Sequence, residues 1–253
     1  MLNRKIEYLK MAQVEESMWW YLSLHALVTD TLVKQKVGND ARILDAGCGT
    51  GGLLLHLLKQ GFCNSVGFDL SSDAVDVCQH RQLDVTQGDL SNVDQLFEDI
   101  QFDVIISNDT FYFLDDAGCV ALLAKFEKLL RPGGILILNL PALKAFSGIH
   151  DIGVGIKRRF NQGRVSALFA DRVLKVERKV YWPFFVSPLV FAVRSFQRLK
   201  LKLNPKVNIT SDVKLPIPLV NYLLAKLTLL ENKILLCKPF GSSLFVVAKK
   251  HVS

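Results

Sequence analysis

The chain has 253 residues, of which 50% are hydrophobic and 22% are charged, and its formal net charge at pH 7 is +7. This length and apolar content suit one sizeable α/β core and do not require a second domain. Five dispersed cysteines without a C-x-x-C pair predict free thiols in a cytoplasmic protein, and exclude a disulfide scaffold or a zinc site. We expect no signal peptide and no membrane-spanning helix, because no uncharged apolar run reaches about 18 residues.

The charge is distributed unevenly along the chain. Residues 1–150 carry 12 Lys and Arg against 19 Asp and Glu, whereas residues 151–253 carry 19 against 5. A basic half predicts an anionic partner or an anionic membrane surface. Nucleic acid is not expected, because the basic residues alternate with aliphatic runs rather than with aromatic stacking residues.

The first elements are a helix over residues 12–36 and a strand that ends in a glycine turn. The run ILDAGCGTGG at 43–52 predicts a buried strand, a tight turn and the start of a helix whose amides point at a ligand. Gly47, Gly49 and Gly52 satisfy the G-x-G-x-x-G spacing of dinucleotide-binding enzymes. The glycine spacing alone therefore does not distinguish a nicotinamide cofactor from another ligand that contains adenosine.

Acidic residues at the ends of the following strands narrow this choice. Asp45 would repel a pyrophosphate but could hold a cationic amino-acid group. Asp69 ends a second strand and suits ribose hydroxyls, while Asp89 follows a third strand and could accept from an adenine amino group. A fourth strand covers 102–109, and the run 129–138 predicts a helix end, a Pro-Gly-Gly turn and a fifth strand.

With these residues, about the first 140 positions resemble the class I S-adenosylmethionine-dependent methyltransferases. The whole chain, from Trp19-Trp20-Tyr21 to the run PFGSSL at 239–244, resembles a bacterial small-molecule subgroup of methyltransferase type 11/12/23. The resemblance implies S-adenosyl-L-methionine as cofactor and S-adenosyl-L-homocysteine as product. The cofactor-binding residues that it implies are Asp45, Ala46, Gly47, Cys48, Gly49 and Gly51 at the methionine part, Asp69 and Leu70 at the ribose, Asp89 and Leu90 at the adenine, and Asn108 and Asp109 beside the sulfonium.

The remainder of the chain predicts a loop, two strands and an insertion between them. A loop over 142–162 and a short helix near 163–172 precede an alternating sixth strand at 174–182, and the last strand is 243–250. The roughly sixty residues between these strands are too many for a bare loop. They contain an apolar run at 184–193, five basic residues that follow it (Arg194, Arg198, Lys200, Lys202 and Lys206), and a helical run from Leu219 to Leu236.

The predicted fold is a single α/β methyltransferase domain over residues 1–253, a Rossmann-like, doubly wound seven-stranded sheet, mostly parallel with its last strand antiparallel. A helical cap is inserted between strands 6 and 7. The predicted parts are 1–38 for covering helices, 39–141 for the cofactor-binding core, 142–182 for the substrate loop, helix and strand 6, 183–241 for the cap, and 242–253 for the final strand.

His150 with Asp151 is the leading candidate for a general base, because the pair follows the fifth strand and the acid could orient the imidazole. A local loop contact is an equally good interpretation of this histidine. Many relatives carry an acid–histidine pair after the fourth strand, but Tyr112 and Phe113 stand there in this chain. Tyr112 is therefore the third catalytic candidate, through a cation–π contact to the sulfonium or as part of an aromatic wall.

Other residues are weaker candidates for the cofactor and substrate. Tyr21 is expected to close the cofactor pocket, although an ordinary packing role for the Trp19-Trp20-Tyr21 run has equal weight. The proposed substrate contacts are Trp20, His25, Phe111, Arg158 and Arg159. For each of them a core position or a solvated charge is the alternative.

We therefore expect an enzyme that moves a methyl group to O or N of a small, largely apolar metabolite, such as a natural product or a quinone-like or lipid-linked acceptor. The alternatives are an NAD-dependent oxidoreductase and a non-catalytic cofactor-binding or peripheral membrane protein. Residues 183–206 suit an anionic membrane interface, a cap over the acceptor pocket or a homodimer interface. No metal is expected.

Overall fold

A computed structural model describes residues 4–204, 213–235 and 237–251. The described strands are β1 (Ile43–Ala46), β2 (Ser65–Asp69), β3 (Val85–Gln87), β4 (Phe102–Asn108), β5 (Leu130–Pro141), β6 (Leu174–Trp182) and β7 (Ser243–Lys250). The described helices are α1 (Arg4–Val14), α2 (Trp19–Lys34), α3 (Gly52–Lys59), α4 (Ser72–His80), α5 (Val93–Leu96), α6 (Asp116–Leu129), α7 (Ile149–Val154), α8 (Gln162–Leu168), α9 (Ser187–Leu203) and α10 (Pro218–Ile234).

The strands form one mixed sheet with the order β3-β2-β1-β4-β5-β7-β6. Strands β1 to β5 pair in parallel, and β7 lies antiparallel between β5 and β6. This confirms the predicted α/β fold with an antiparallel last strand. The chain order reverses between β1 and β4, so a crevice opens at their carboxyl ends, where ligands bind in sheets of this kind.

Helices cover both faces of the sheet, and alternate residues of the central strands pack into the two larger cores. On β4, Val104 and Ile106 join one core and Ile105 joins the other. The first of these cores receives the apolar face of α2, which consists of Leu24, Leu27, Val28 and Leu32. The other core is filled chiefly by α6 and α8. The arrangement is a three-layer sandwich with its glycine turn at the rim.

The predicted limits hold at β6 and β7 and differ at other elements. Strand β4 ends at Asn108 rather than residue 109, and β5 begins at Leu130, before the Pro-Gly-Gly sequence that was expected to precede it. The single helix expected over 12–36 is instead two helices, α1 and α2, separated at residues 15–18, and α8 ends at Leu168 rather than near residue 172. The stretch 142–162, expected as a loop, contains α7. Lys206 and Leu236, which the predictions included, lie outside the described residues.

Helices α9 and α10 occupy the segment between β6 and β7, and one buried side chain joins them to each other. Glu231 of α10 accepts hydrogen bonds from the backbone amides of Phe184 and Phe185, just before α9, and from Lys238 Nζ at 3.0 Å. Across the described ranges, no helix combines the length and apolarity needed to cross a bilayer.

Candidate active site

The glycine turn after β1 is tied to the end of β2. The amides of Gly47 and Cys48 both donate to the carbonyl of Phe68 at 2.9 Å. Gly47 has φ +80°, and a Cβ there would lie 2.5 Å from Thr110 Cγ2, so only glycine fits between β1 and the end of β4. Gly51, with φ +84°, directly precedes α3. The turn therefore places the first amides of α3 at the crevice.

Asp69 connects the glycine turn to the segment that follows β2. Its Oδ2 accepts from the Gly49 amide and its Oδ1 accepts from the Ser71 amide, both at 2.9 Å. Tyr8 of α1 also donates to Oδ1, at 3.4 Å. Burial raises the pKa of Asp69, whereas the two amide hydrogen bonds oppose that rise. The carboxylate is thus held at the turn with capacity for further donors.

Three buried carboxyl groups lie close to the glycine turn. Asp45 is only 2% exposed, and burial, followed by the charges of Asp69 and Glu15, raises its pKa to about 8. The pKa of Glu15 is raised as well, chiefly by burial. Like-charged buried groups of this kind are stabilised by a cation placed between them. The turn is therefore suited to a cationic ligand and poorly suited to a pyrophosphate.

Asp109 lies at the end of β4 in a strained backbone conformation, with φ +53°. Its amide donates to the carbonyl of Asn139, and Asn139 Nδ2 donates back to Asp109 Oδ2 at 3.0 Å. Asn139 is itself held by Trp182, whose Nε1 donates to its Oδ1 at 2.9 Å. Burial raises the pKa of Asp109 to about 7. The neighbouring Asn108 Oδ1 is buried without a hydrogen-bond partner among the described residues.

Two tyrosines interact electrostatically with Asp109. The pKa of Tyr112 is raised, first by burial and then by the charge of Asp109 and the hydroxyls of Tyr8 and Tyr21. The pKa of Tyr21 is also raised by burial, with Glu15 and Asp109 as the next causes. Tyr21 of α2 and Tyr112 after β4, both predicted site residues, are brought together here.

Helix α1 and the residue that follows it lie over the glycine turn. The side chain of Met11 lies against Gly49. Glu15, which is 3% exposed, accepts from Thr50 Oγ1 at 2.8 Å and forms a buried ion pair with Arg81. Arg81 also donates to the carbonyls of Thr50 and Ala12. The amino-terminal segment is thereby fastened to the turn.

The structure corrects one of the predicted substrate contacts. Phe111 is only 1% exposed and packs on Phe126 in the core, so it does not line an open acceptor site. Trp20 is partly buried and stacks on Trp182, with ring centroids 5.6 Å apart, against the core of the other face. A substrate contact by Trp20 stays a prediction.

His25 and His56 form a buried pair of neutral rings. Their centroids are 5.4 Å apart, and burial, followed by the charge of His56, lowers the pKa of His25 to about 3. His25 also lies 6.2 Å from the ring of Tyr21. The His25 ring thus packs near Tyr21. A substrate contact by His25 stays a prediction.

The main partner of Asp151 in the structure is Arg159, and the predicted pairing of Asp151 with His150 stays a prediction. Both carboxylate oxygens of Asp151 accept from Arg159, at 2.6 and 2.8 Å, because Arg159 lies across α7 and presents its planar guanidinium. Arg159 also donates to the carbonyl of Ala142, so this group holds the loop rather than a substrate. Arg158 forms an ion pair with Asp116. His150 lies on α7, partly buried, and its catalytic role stays a prediction.

Some of the other predicted cofactor-binding residues are exposed and others are buried. Asp89 is exposed and its Oδ1 accepts from the Ser91 amide at 2.7 Å, which is a capping interaction. Leu70 is exposed, and Leu90 packs partly against the core. Cys48 and Ala46 are buried at the turn. The contacts of these five residues with a cofactor stay predictions.

Four residues of this site were not found from the sequence. Tyr8, Glu15 and Arg81 come together only because α1 folds over the glycine turn, and no local pattern signals that approach. Asn139 did leave a signal, since it is a polar residue inside the apolar run ILILNL of β5. A buried polar side chain in such a run requires a partner, and here the partners are Asp109 and Trp182.

A sheet of this order with a glycine turn after β1 and an acid at the end of β2 defines the class I S-adenosylmethionine-dependent methyltransferase fold. Residues 43–134 match the family model described as a methyltransferase domain. Residues 43–134 therefore form a methyltransferase domain of the S-adenosylmethionine-dependent kind. This decides the choice of cofactor class that the glycine spacing leaves open.

Part of the chain is similar to individual curated proteins. The chain is 35% identical over 112 residues to a malonyl-[acyl-carrier protein] O-methyltransferase from Bacillus cytotoxicus, covering 43% of this chain and 38% of the relative. It is 27% identical over 132 residues to a carboxy-S-adenosyl-L-methionine synthase from Colwellia psychrerythraea, covering 49% and 54%. The chain thus spans about half or less of the length of these relatives.

The solved structure of an S-adenosylmethionine-dependent methyltransferase from Clostridium acetobutylicum superimposes with a TM-score of 0.60. The superposition covers 97% of this chain and 99% of that one at 14% identity, and it shows a shared fold.

The residues present fit S-adenosylmethionine. The carboxyl groups of Asp45 and Glu15 suit a ligand that carries an ammonium and a sulfonium, and Asp69 has acceptor capacity for ribose hydroxyls. The buried Asn108 Oδ1 is an acceptor that still requires a donor.

Proposed function

We propose that this protein transfers the methyl group of S-adenosylmethionine to an oxygen or nitrogen of a small, largely apolar acceptor. Natural products and quinone-like or lipid-linked molecules are the acceptor classes we favour. The observation that carries the proposal is the position of Asp109 at the crevice, a buried carboxyl group with a pKa near neutrality that Asn139 holds and that interacts with Tyr21 and Tyr112. The cofactor, when bound, supplies an electrophilic methyl group on a sulfonium.

Some residues of the chain bind the cofactor, and others are available for proton transfer. Asp45 and Glu15 stabilise positive charge at the glycine turn, and Asp69 accepts from ribose hydroxyls. An alcohol, phenol or ammonium acceptor must lose a proton, and a base with a pKa close to the working pH performs this step best. We assign that step to Asp109, which Asn139 holds in place. His150 is the second candidate, and Asp151 beside it also binds Arg159.

The apolar character of the acceptor follows from the surroundings of Asp109. Its carboxyl group is buried and interacts with Tyr21 and Tyr112, and such burial excludes water from the reacting atoms. An oxygen acceptor is also supported by the relative from Bacillus cytotoxicus, whose name describes an O-methyltransferase.

The proposal is tested with radiolabelled S-adenosylmethionine and a panel of apolar phenols, alcohols and amines. We expect label in at least one acceptor, and a rate that rises with pH through about 7 as Asp109 ionises. Asp109→Asn should lower kcat by roughly a hundredfold or more and remove the rise of the rate with pH, which is the acidic limb of the pH–rate profile. The affinity for S-adenosylhomocysteine should be unchanged.

Asp171→Asn is the matched control, because Asp171 also has a positive φ, +55°, but lies exposed and far along the chain from the site. The pH–rate profile of His150→Ala is compared with that of Asp109→Asn. If the acidic limb is lost in His150→Ala and kept in Asp109→Asn, His150 is the base. Absence of label from every acceptor would contradict the proposed acceptor class.

A further inference from the structure

Helix α9 directs its apolar side away from the protein. Leu189, Val193, Phe196, Leu199 and Leu203 recur at intervals of three or four residues, so they form one stripe along the helix. All five are exposed, and Phe196 and Leu203 reach 68% and 78%. We call these residues the α9 stripe. A helix that packs on a globular core normally buries such a stripe.

The polar side of α9 faces the protein instead. Arg198 donates to the carbonyls of Ala145 and Ser147, at 2.6 and 2.7 Å. Gln197 Oε1 accepts from the backbone amide of Ile149 at 3.2 Å. Helix α9 is therefore attached to the stretch just before and within α7 by hydrogen bonds. Its polar side thus faces the protein and its apolar side faces outward, which is the reverse of the usual arrangement.

Helix α10 has the same inverted arrangement. Its buried face carries small and polar residues, namely Ala225, Thr228, Glu231 and Asn232. Asn221 Oδ1 accepts from the Trp19 amide and Asn221 Nδ2 donates to the Ser17 carbonyl, both at 2.8 Å. The opposite face is an exposed stripe of large apolar residues, which we call the α10 stripe: Leu219, Leu223, Leu227, Leu230 and Ile234.

The charges around both stripes are almost entirely basic. Residues 183–241 contain nine Lys and Arg against two Asp and Glu. One of the two acids, Glu231, is buried and paired with Lys238, and the other, Asp212, lies outside the described residues. Lys200 and Lys202 on α9, and Lys226 and Lys233 on α10, are exposed beside the stripes.

We propose that α9 and α10 dock the protein on an anionic lipid bilayer, with the two stripes in the boundary between headgroups and acyl chains. An anionic bilayer supplies both an apolar layer for the stripes and negative charge for the flanking lysines. A second copy of the chain would instead bring two basic surfaces together, which costs free energy. The docking is interfacial, because neither described helix is suited to span the bilayer.

The docked helices lie next to elements of the active site. Helix α9 contacts the stretch that leads into α7, on which His150 lies, and α10 packs on α2, which carries Tyr21. The bilayer would therefore border the active-site side of the insertion. The docking proposal does not depend on the proposed methyl transfer, since it is tested without cofactor or acceptor.

The test is flotation of the full chain with mixed phosphatidylcholine–phosphatidylglycerol vesicles and with pure phosphatidylcholine vesicles. We expect the protein to float with the anionic vesicles at low salt, and to bind pure phosphatidylcholine and high-salt samples more weakly. Phe196→Gln with Leu199→Gln, and separately Leu223→Gln with Leu230→Gln, should each lower the vesicle partition coefficient by about tenfold or more. Lys200→Glu with Lys202→Glu should abolish the preference for anionic vesicles.

Matched controls place the same changes on other surfaces. Val33→Gln with Val120→Gln alters exposed apolar residues of α2 and α6, and Lys128→Glu with Lys175→Glu alters exposed lysines. Both control proteins should float like the original, and all variants should keep its melting temperature and S-adenosylhomocysteine affinity.

Absence of flotation with anionic vesicles at low salt would overturn the proposal, as would equal flotation of stripe and control variants. A dimer in sedimentation equilibrium that the stripe variants dissociate, without vesicle binding, would assign the stripes to a second copy.

Discussion

Asp69 receives the amides of Gly49 and Ser71, so its carboxylate is oriented before any ligand arrives. Its position at the end of β2 was predictable because the apolar strand ends at an acid. The two amide contacts were not, because they depend on how the turn after β1 crosses the end of β2. A pre-oriented acceptor loses little entropy on binding, which makes Asp69 the most informative single residue to change.

Replacement of Asp69 should weaken cofactor binding. Asp69→Ala removes the charged acceptor for ribose hydroxyls, and we expect S-adenosylhomocysteine affinity to fall by roughly 10- to 100-fold. Isothermal titration calorimetry measures this change. Asp76→Asn, at an exposed position on neighbouring α4, is the control and should bind as the original does. Equal affinity of Asp69→Ala and the original would contradict the assignment.

Asp45 should make stability depend on pH. Its folded pKa of about 8 lies above its ordinary value of 3.8, so the fold favours the neutral carboxyl group. The stabilising contribution is complete below the ordinary pKa and is lost as the pH rises through about 8. The free energy of unfolding should therefore fall between about pH 5 and about pH 9, by on the order of a few kcal/mol.

Urea unfolding across this range measures the effect, with Asp45→Asn and the exposed Asp84→Asn compared. Asp45→Asn should flatten the decline and raise stability at alkaline pH, whereas Asp84→Asn should leave the decline intact. A decline that persists in Asp45→Asn would show that another group causes it.

At the scale of elements, the strands were predictable and the covering helices were not. Apolar runs bounded by glycine and acids predict all seven strands, although β5 begins at Leu130, before the expected Pro-Gly-Gly turn. The run over 12–36 was predicted as one helix, but Glu15 turns inward to Thr50 and Arg81 and separates α1 from α2. That contact joins residues 66 apart in sequence, so no local pattern contains it.

The two adjacent acids at this break make a matched pair of tests. Glu15 forms a buried ion pair with Arg81, whereas Glu16 forms an exposed pair with Lys59. Arg81→Ala leaves a buried carboxylate unpaired and should lower the free energy of unfolding by about 3–5 kcal/mol. Lys59→Ala should lower it by less than about 1 kcal/mol.

Guanidinium unfolding measures both changes, and limited proteolysis reports whether α1 detaches. Arg81→Ala should also expose α1 to cleavage before the rest of the chain. Similar small effects for the two variants would mean that the amino-terminal segment is not fastened through Arg81.

At the scale of the whole molecule, cofactor binding should stabilise the fold by mass action. S-adenosylhomocysteine at about 100 times its dissociation constant adds about 2.7 kcal/mol, because it binds only the folded chain. For a domain of this size the melting temperature should rise by about 5–10 °C. Differential scanning calorimetry measures the shift, and NAD is the control ligand. A comparable shift with NAD, or none with S-adenosylhomocysteine, would contradict the cofactor assignment.

The orientation of the two helices between β6 and β7 could not be predicted from the sequence. Its apolar and basic residues were visible in the sequence, and a cap, a dimer interface and a membrane surface all agreed with them. Only the packing revealed that α9 and α10 bury their polar sides, because hydrogen bonds from Arg198 and to Asn221 fix which face is turned inward.

The sequence by itself determined the class of fold, the cofactor and the acids at the strand ends, because these depend on local periodicity, glycine turns and strand termini. Tertiary structure alone decided that Asp151 pairs with Arg159, that Phe111 lies in the core and that α1 covers the turn. Each of these outcomes depends on contacts between distant segments. Such contacts are set by packing of the whole chain, which no local pattern records.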